Sequence, residues 1–182
     1  GLSYSVVTSV DRDDLVDGGA GAFAMTIKQI KKFNPDCKVE VLIPDFNGNK
    51  SSLETVIKAS PDVLNHNIET CRRVFRVVRP KGDYDQSIEL LRRVKELNPN
   101  IPTKSGMMVG LGETEDEIIE TMNDLRKVNC DLLTIGQYLR PSKKHHEIDK
   151  FYHPKEFTKF EHIGMELGFK HVAAGPLVRS SY

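Results

Sequence analysis

The chain has 182 residues, 26 basic and 26 acidic, for a formal net charge of zero, with three cysteines and no tryptophan. That length suits one domain with a real core, and the balanced charge excludes a nucleic-acid module that works by bulk electrostatics. No apolar run approaches the ~18 residues of a membrane-spanning helix and no signal peptide opens the chain, so a soluble protein with no membrane or nucleic-acid partner is expected.

Residues 1–10, GLSYSVVTSV, enter an apolar strand at once, with neither an initiator methionine nor a polar leader, as in a piece cut from a longer chain. Short β-branched or apolar runs at residues 4–9, 39–43, 63–67, 104–109 and 132–136 alternate with longer helical patterns, the signature of βαβ units and a parallel sheet. Ile27, Ile30 and Phe33 share a helical face before Asn34-Pro35, and Ile88, Leu91, Val94 and Leu97 share another before Asn98-Pro99. Ser51 and Glu54 have capping-box spacing, as do Thr114 and Glu117.

Helix-to-strand links are plain proline turns, NPD, SPD and NPN, whereas the strand-to-helix links DRDDLVDGGA, PDFNGN, HNIE, GLGE and QYLRPSKKHH gather glycine, charge and polarity. Ligands in parallel α/β folds bind where such βα loops converge, at the carboxyl ends of the strands. Five βα units are too few for a closed eight-stranded barrel. Cys37 and Cys130 precede strands, on the other face, and Cys71 stands alone after one. Without C-x-x-C spacing, all three are expected to be reduced and partly buried. The richest stretch is TKSGMMVGLGETEDE, residues 103–117. There Gly106, Gly110 and Gly112 let backbone approach a ligand, Glu113 is the first carboxylate, and the helix opening at Thr114 aims its free N–H groups at the turn.

These residues carry a resemblance. GMMVGLGE, residues 106–113, matches the G-x-I-x-G-x-x-E pattern of radical S-adenosylmethionine enzymes, with Met108 in the isoleucine place. TSVDRDD, DGGA, LIPDF, HNIET, VGLGET, LTIGQYLRPS, ELGF and GPLVRSSY follow in the order found in lipoyl synthases, and the chain resembles that family over essentially its whole length. The resemblance implies an α/β fold, a partial (β/α)6 TIM-like barrel of the radical SAM type truncated at its N-terminus. Residues 1–182 would be a single core domain without the first strand and cluster loop, and residues 169–182 a C-terminal tail carrying RSSY.

It further implies S-adenosyl-L-methionine and two 4Fe-4S clusters as cofactors, the cysteine ligands of both clusters lying outside this chain. The implied reaction is sulfur insertion at C6 and C8 of a protein-bound octanoyl chain, begun by a 5′-deoxyadenosyl radical, with sulfur drawn from the auxiliary cluster. Implied partners are an octanoylated lipoyl-carrier domain or H-protein and a reducing electron donor, in a bacterial cytoplasm or a mitochondrial matrix. The chain by itself is expected to be inactive.

Position by position, Gly18 and Gly19 stand where other radical enzymes carry a G-G-E loop facing the cofactor amino group, with Ala20 in place of the glutamate. Asn67 and Glu69 are matched to the ribose or the methionine carboxylate end, the alternative being a ligand-free strand-end pair of His66 and Asn67. Gly110 and Gly112 would flank adenine, beside Ile135 and Tyr138. Arg140 would meet the substrate carbonyl or the cofactor carboxylate, or else form a surface salt bridge. Ser180, the first serine of RSSY, would be the metal ligand of the auxiliary cluster, its hard oxygen suiting an iron that must be shed, with Arg179 adding positive charge. No catalytic side chain is assigned. Val16 replaces a usual proline and Cys71 a usual valine. The clusters Arg72, Arg73, Arg76, Arg79, Lys81 and Lys143, Lys144, His145, His146 are either a carrier-docking surface or solvated faces. Two rivals remain, a non-catalytic binding module and another barrel enzyme, such as an aldolase, for which Lys104 is the candidate Schiff-base lysine.

Overall fold

The computed structural model describes residues 1–181; Tyr182, the last residue of the RSSY motif, lies outside the described residues. Six strands, β1 (Tyr4–Thr8), β2 (Lys38–Leu42), β3 (Val63–Asn65), β4 (Thr103–Val109), β5 (Leu132–Gln137) and β6 (His171–Gly175), form one sheet in sequence order. All neighbours are parallel. The crossovers carry α1 (Ala20–Phe33), α2 (Lys50–Lys58), α3 (Arg72–Val78), α4 (Tyr84–Leu97), α5 (Glu115–Lys127) and α6 (Pro154–Glu166). Among the described residues β1 and β6 are not paired to each other, so the sheet is an open part of a TIM-like barrel. No helix among them is long and apolar enough to cross a membrane.

The sequence shows five of these strands. The sixth lies inside the segment expected to be a tail, where HVAAG pairs with β5 from Leu132↔His171 to Gly136↔Gly175. Two alanines and a glycine give it little strand propensity. Pairing with β5 and cover from α6, whose Gly164 packs directly on Val172, hold it in place.

Helix faces follow the 3.6-residue period more strictly than a three-residue reading does. Ala20, Phe23, Ala24 and Ile27 are buried, whereas Phe33 is 78% exposed. Steps of three residues drift by roughly 60° each, which swings Phe33 about 120° from Ile27. The same drift takes Leu97 away from buried Leu91 and Val94. The Ser51–Glu54 box does not form: Asn49 caps α2, its side chain accepting from the Ser51 and Ser52 amides, and Glu54 pairs with Lys58 instead. Thr114 and Glu117 do form theirs, and His153 with Glu156 makes another at the head of α6. At the amino ends of the strands, one carboxylate device appears twice. Asp62 accepts the Val39 amide and pairs with Lys31 and Lys38; Asp131 accepts the Thr103 amide and pairs with Lys95 and Lys170.

Candidate functional site

Alternate residues of each strand face the barrel interior, and that interior is polar at its floor. Glu40, 1% exposed, receives Tyr4 Oη at 2.5 Å, Asn65 Nδ2 at 3.0 Å and Lys104 Nζ at 3.0 Å and 3.2 Å. Higher up, the register sets Gly106 beside Thr134 and Ala173, and Met108 beside Gly136 and Gly175. Small side chains there leave a cavity of about 180 Å3, bounded by Asn67, Glu69, Met108, Thr134, Leu139 and Ser180 among others.

Asn67 is held against Gly106, where an added Cβ would come within 2.7 Å of its Oδ1. That Oδ1 is buried without a hydrogen-bond partner, an arrangement that costs about 1–3 kcal/mol unless a ligand supplies the donor. Two residues on, Glu69 adopts φ +66°, unusual for a non-glycine residue. Its amide donates to Gly106 O at 3.0 Å and its carbonyl accepts from Met108 N at 2.8 Å, so the chain re-joins β4 after β3 has ended. Burial pushes the Glu69 carboxyl up, against the pull of Arg79, whose Nη1 lies 3.2 Å away. Strained backbone and a half-buried carboxyl at a cavity wall are features expected of a working site. A second cavity shares Asn67 and Glu69 with the first, and a third shares Asp11, Pro44 and Arg79 with the second. Together they make a cleft along the carboxyl ends of the strands.

Asn67, Glu69, Ser180, Arg179 and Gly106 meet at the first cavity. Gly18 borders the third, and Gly18 and Gly19, at φ +60° and +88°, turn the chain into α1. Gly110 and Gly112 do not border the cavity. A Cβ on Gly110 would run into the Gln137 amide and the Lys150 carbonyl, so packing, and not ligand approach, demands that glycine. Glu113 is buried and accepts the Gly110 and Leu111 amides at 2.7 Å and 2.9 Å, closing the turn on itself. Tyr138 also turns away. It packs with Cys71, Val74 and Leu111, and its hydroxyl donates to His146 O at 3.0 Å. Arg140 is spent on its own loop, donating to His145 O and Lys143 O and pairing with Glu147.

The expected basic surface after β3 is largely neutralised: Arg72 pairs with Asp85 and Asp124, Arg73 with Glu117, Arg76 with Asp83 and Arg79 with Glu69. Arg73 in turn holds the Glu117 carboxyl down to about 2. Lys104, 4% exposed and ion-paired with Glu40, is inside the barrel but engaged, which speaks against a Schiff-base role.

Sequence reasoning missed Asn65, Thr134 and Gln137. Asn65 had a signal, since it stands two residues before Asn67 and so faces the same way. His66, between them, points outward and is buried, its Nδ1 2.9 Å from Ile43 O and its Nε2 3.1 Å from Ser87 Oγ. The carbonyl can only accept, which puts the proton on Nδ1. Burial lowers the His66 pKa from 6.5, outweighing the Ile43 carbonyl. A depressed pKa means that its contribution to stability is complete above 6.5 and is lost as pH falls through the lower folded value. Urea midpoints measured from pH 7.5 to pH 5 are expected to decline, and His66→Gln should flatten that decline; an equal slope in the variant would refute it.

The cleft fits S-adenosyl-L-methionine in chemistry: the orphaned Asn67 oxygen asks for a hydroxyl or ammonium donor, and Glu69 offers a carboxylate beside it. An iron–sulfur cluster is different. Among the described residues no group of three or more His, Cys, Asp or Glu is placed to hold a metal, and the three cysteines are buried and free. Burial pushes the Cys130 thiol up to about 12, the opposite of a ready thiolate. At the first cavity Ser180 offers one oxygen.

Six parallel strands with a polar cleft at their carboxyl ends define an α/β protein built to hold a ligand between its βα loops. Residues 1–125 match the Radical SAM superfamily model, and the chain belongs to that superfamily. Within it, the chain is 61% identical to a lipoyl synthase of Caldanaerobacter subterraneus subsp. tengcongensis and 56% identical to one of Halalkalibacterium halodurans. Both likenesses run over all of this chain, which spans 64% and 60% of those relatives. Among solved structures, Streptococcus suis SuiB bound to S-adenosylmethionine is similar with a TM-score of 0.64 over 90% of this chain and 36% of that one, at 15% identity, a likeness of fold.

Proposed function

We propose that this chain is the core of a lipoyl synthase, in which the cleft holds S-adenosyl-L-methionine and the whole protein inserts two sulfur atoms at C6 and C8 of a protein-bound octanoyl chain. The buried, unpartnered Oδ1 of Asn67 carries the reading of the cleft, and the likeness to lipoyl synthases over the full chain carries the reading of the reaction. When bound, the cofactor supplies radical chemistry at unactivated carbon; the protein supplies binding, orientation and exclusion of water. Asn67 and Glu69 grip the polar end of the cofactor. Met108 and Leu139 give the cavity apolar walls, with Thr134 a polar one. Gly18 bounds the far end of the cleft, and Gly19 follows it in the same turn. Ser180 is the metal ligand contributed by this chain, and the cysteine ligands of two 4Fe-4S clusters belong to the rest of the protein.

The partner is an octanoylated carrier domain, approaching over the exposed loop that carries Lys143 and Lys144 and joins Leu139 at the cavity edge, with a reducing electron donor completing the system in the cytoplasm. The test is direct. With full-length protein, an octanoylated carrier and a low-potential reductant, mass spectrometry should show two sulfurs gained per octanoyl group, and unchanged carrier would sink the reading. Binding checks the cleft separately. Asn67→Ala and Glu69→Gln are each expected to weaken S-adenosylmethionine affinity about tenfold, the worth of one good polar contact; unaltered titration isotherms would remove those residues from the site.

A further inference from the structure

The chain after β6 does not leave the barrel. At Val178 the amide donates back to Gly175 O at 3.1 Å, and the segment then runs into the barrel interior. Val178 O lies so close over Gly136 that any Cβ on that residue would collide with it. Further along, Asn65 Nδ2 donates to Ser180 O at 3.2 Å. Gly136 belongs to β5 and Asn65 to β3, so residues 176–181 run from β6 across two strands to a third.

The amide of Asn65 is oriented by its surroundings. Its Nδ2 faces two acceptors, Glu40 Oε1 at 3.0 Å and Ser180 O. A flipped amide, or an aspartate, would set oxygen against both. Glu40 is in turn fixed by Lys104 and Tyr4. The ion pair at the barrel floor thus ends in a single donor directed at the main chain of the crossing segment.

We propose that Asn65 and Gly136 are positioning residues that seat residues 176–181 inside the barrel, between Gly136 near the mouth and Asn65 at the floor, and so set where the Ser180 side chain enters the cavity, a proposal that rests on the reading of that cavity as the cofactor site. Asn65 acts through a hydrogen bond to main chain, and Gly136 through the absence of a side chain. Neither needs to touch a ligand for the seat to work. Because the bond is to the Ser180 carbonyl, the seat is independent of the serine hydroxyl.

The experiment is hydrogen–deuterium exchange on the full-length protein without cofactors, comparing Asn65→Asp, Gly136→Ala and Ser180→Ala. Asparagine to aspartate keeps the volume and removes the donor; glycine to alanine, at a position without positive φ, pushes the carbonyl off its place. Both are expected to speed exchange of peptides covering residues 176–181 at least tenfold, with peptides from β2 and β4 unchanged, while Ser180→Ala leaves exchange at the parent rate. Turnover of the reconstituted enzyme should fall at least tenfold in all three. Unchanged exchange in both positioning variants overturns the seat, as does equal acceleration in the strand peptides, which would mark general loosening. Faster tail exchange with full turnover supports the seat and sinks instead the reading of Ser180. If Asn65→Asp fails to fold, Gly136→Ala alone decides.

Discussion

Glu40→Ala is expected to destabilise the fold by about 3–5 kcal/mol, the range for removing one partner of a buried ion pair. The carboxylate is 1% exposed and takes hydrogen bonds from three side chains on three other strands, so its loss takes from Lys104, Tyr4 and Asn65 the buried acceptor they share. Urea unfolding should show a lower midpoint at an unchanged slope, the mark of lost stability without a changed unfolded state. The double variant Glu40→Met with Lys104→Met discriminates the cause. If the single-site penalty is electrostatic, replacing both groups by apolar ones of similar volume recovers most of it, whereas a purely steric role for Glu40 predicts that the double variant is at least as unstable. Burial, and then the bond to Glu40, raise the Tyr4 hydroxyl above its ordinary pKa, so at neutral pH it remains a donor and the floor keeps its hydrogen bonds.

That polar floor marks the limit of what local pattern makes legible. Runs of apolar residues, capping residues and proline turns reveal five strands, four of the six crossover helices and the face on which the loops gather, because each is a local property of the chain. Asn65 and Lys104 lie 25 and 64 positions from Glu40 along the chain, and only the sheet register brings the three together. A polar residue inside an apolar run is then the signal, and Lys104, at the head of SGMMV, is such a residue inside the barrel.

Period-two alternation explains the mixed outcome at the cleft. Gly106, Met108, Thr134 and Gly136 alternate inward along β4 and β5 as the pleat requires. Continuing the alternation would bring Gly110 and Tyr138 inward too. Both strands end first, at Val109 and Gln137, and the next residue in each rotates away: Gly110 against Lys150, and Tyr138 into an outer cluster with Leu111 and Cys71. Asn67 and Glu69 keep the inward phase past the end of β3 because Glu69 takes a left-handed conformation and pairs again with β4. Sequence identifies such residues by family likeness; the strand ends decide which of them reach the cavity.

The glycine turn that follows β4 supplies a test of that distinction between packing and ligand approach. Gly110→Ala and Gly112→Ala impose the same kind of backbone strain, since both residues have positive φ, +102° and +95°, and forcing an L side chain into that region costs about 1–2 kcal/mol. They differ in space. The nearest atom to a Cβ on Gly112 is in the Asp149 side chain at 3.9 Å, an ordinary contact, while a Cβ on Gly110 collides with the Gln137 amide and the Lys150 main chain. Gln137 is not free to yield, because its Nε2 donates to Val109 O at 3.1 Å and to Lys150 O at 3.0 Å, and its Oε1 accepts the Tyr152 amide at 3.0 Å. Overpacking of this kind adds about 1–3 kcal/mol, so Gly110→Ala should exceed Gly112→Ala by that amount in urea unfolding. If the glycines instead served a ligand against their backbone, both substitutions would weaken S-adenosylmethionine binding alike at equal cost to stability. The geometry predicts the reverse: Gly112→Ala binds as the parent does, and Gly110→Ala loses affinity only as far as it disturbs Gln137, which bounds the cavity and the packed turn at once.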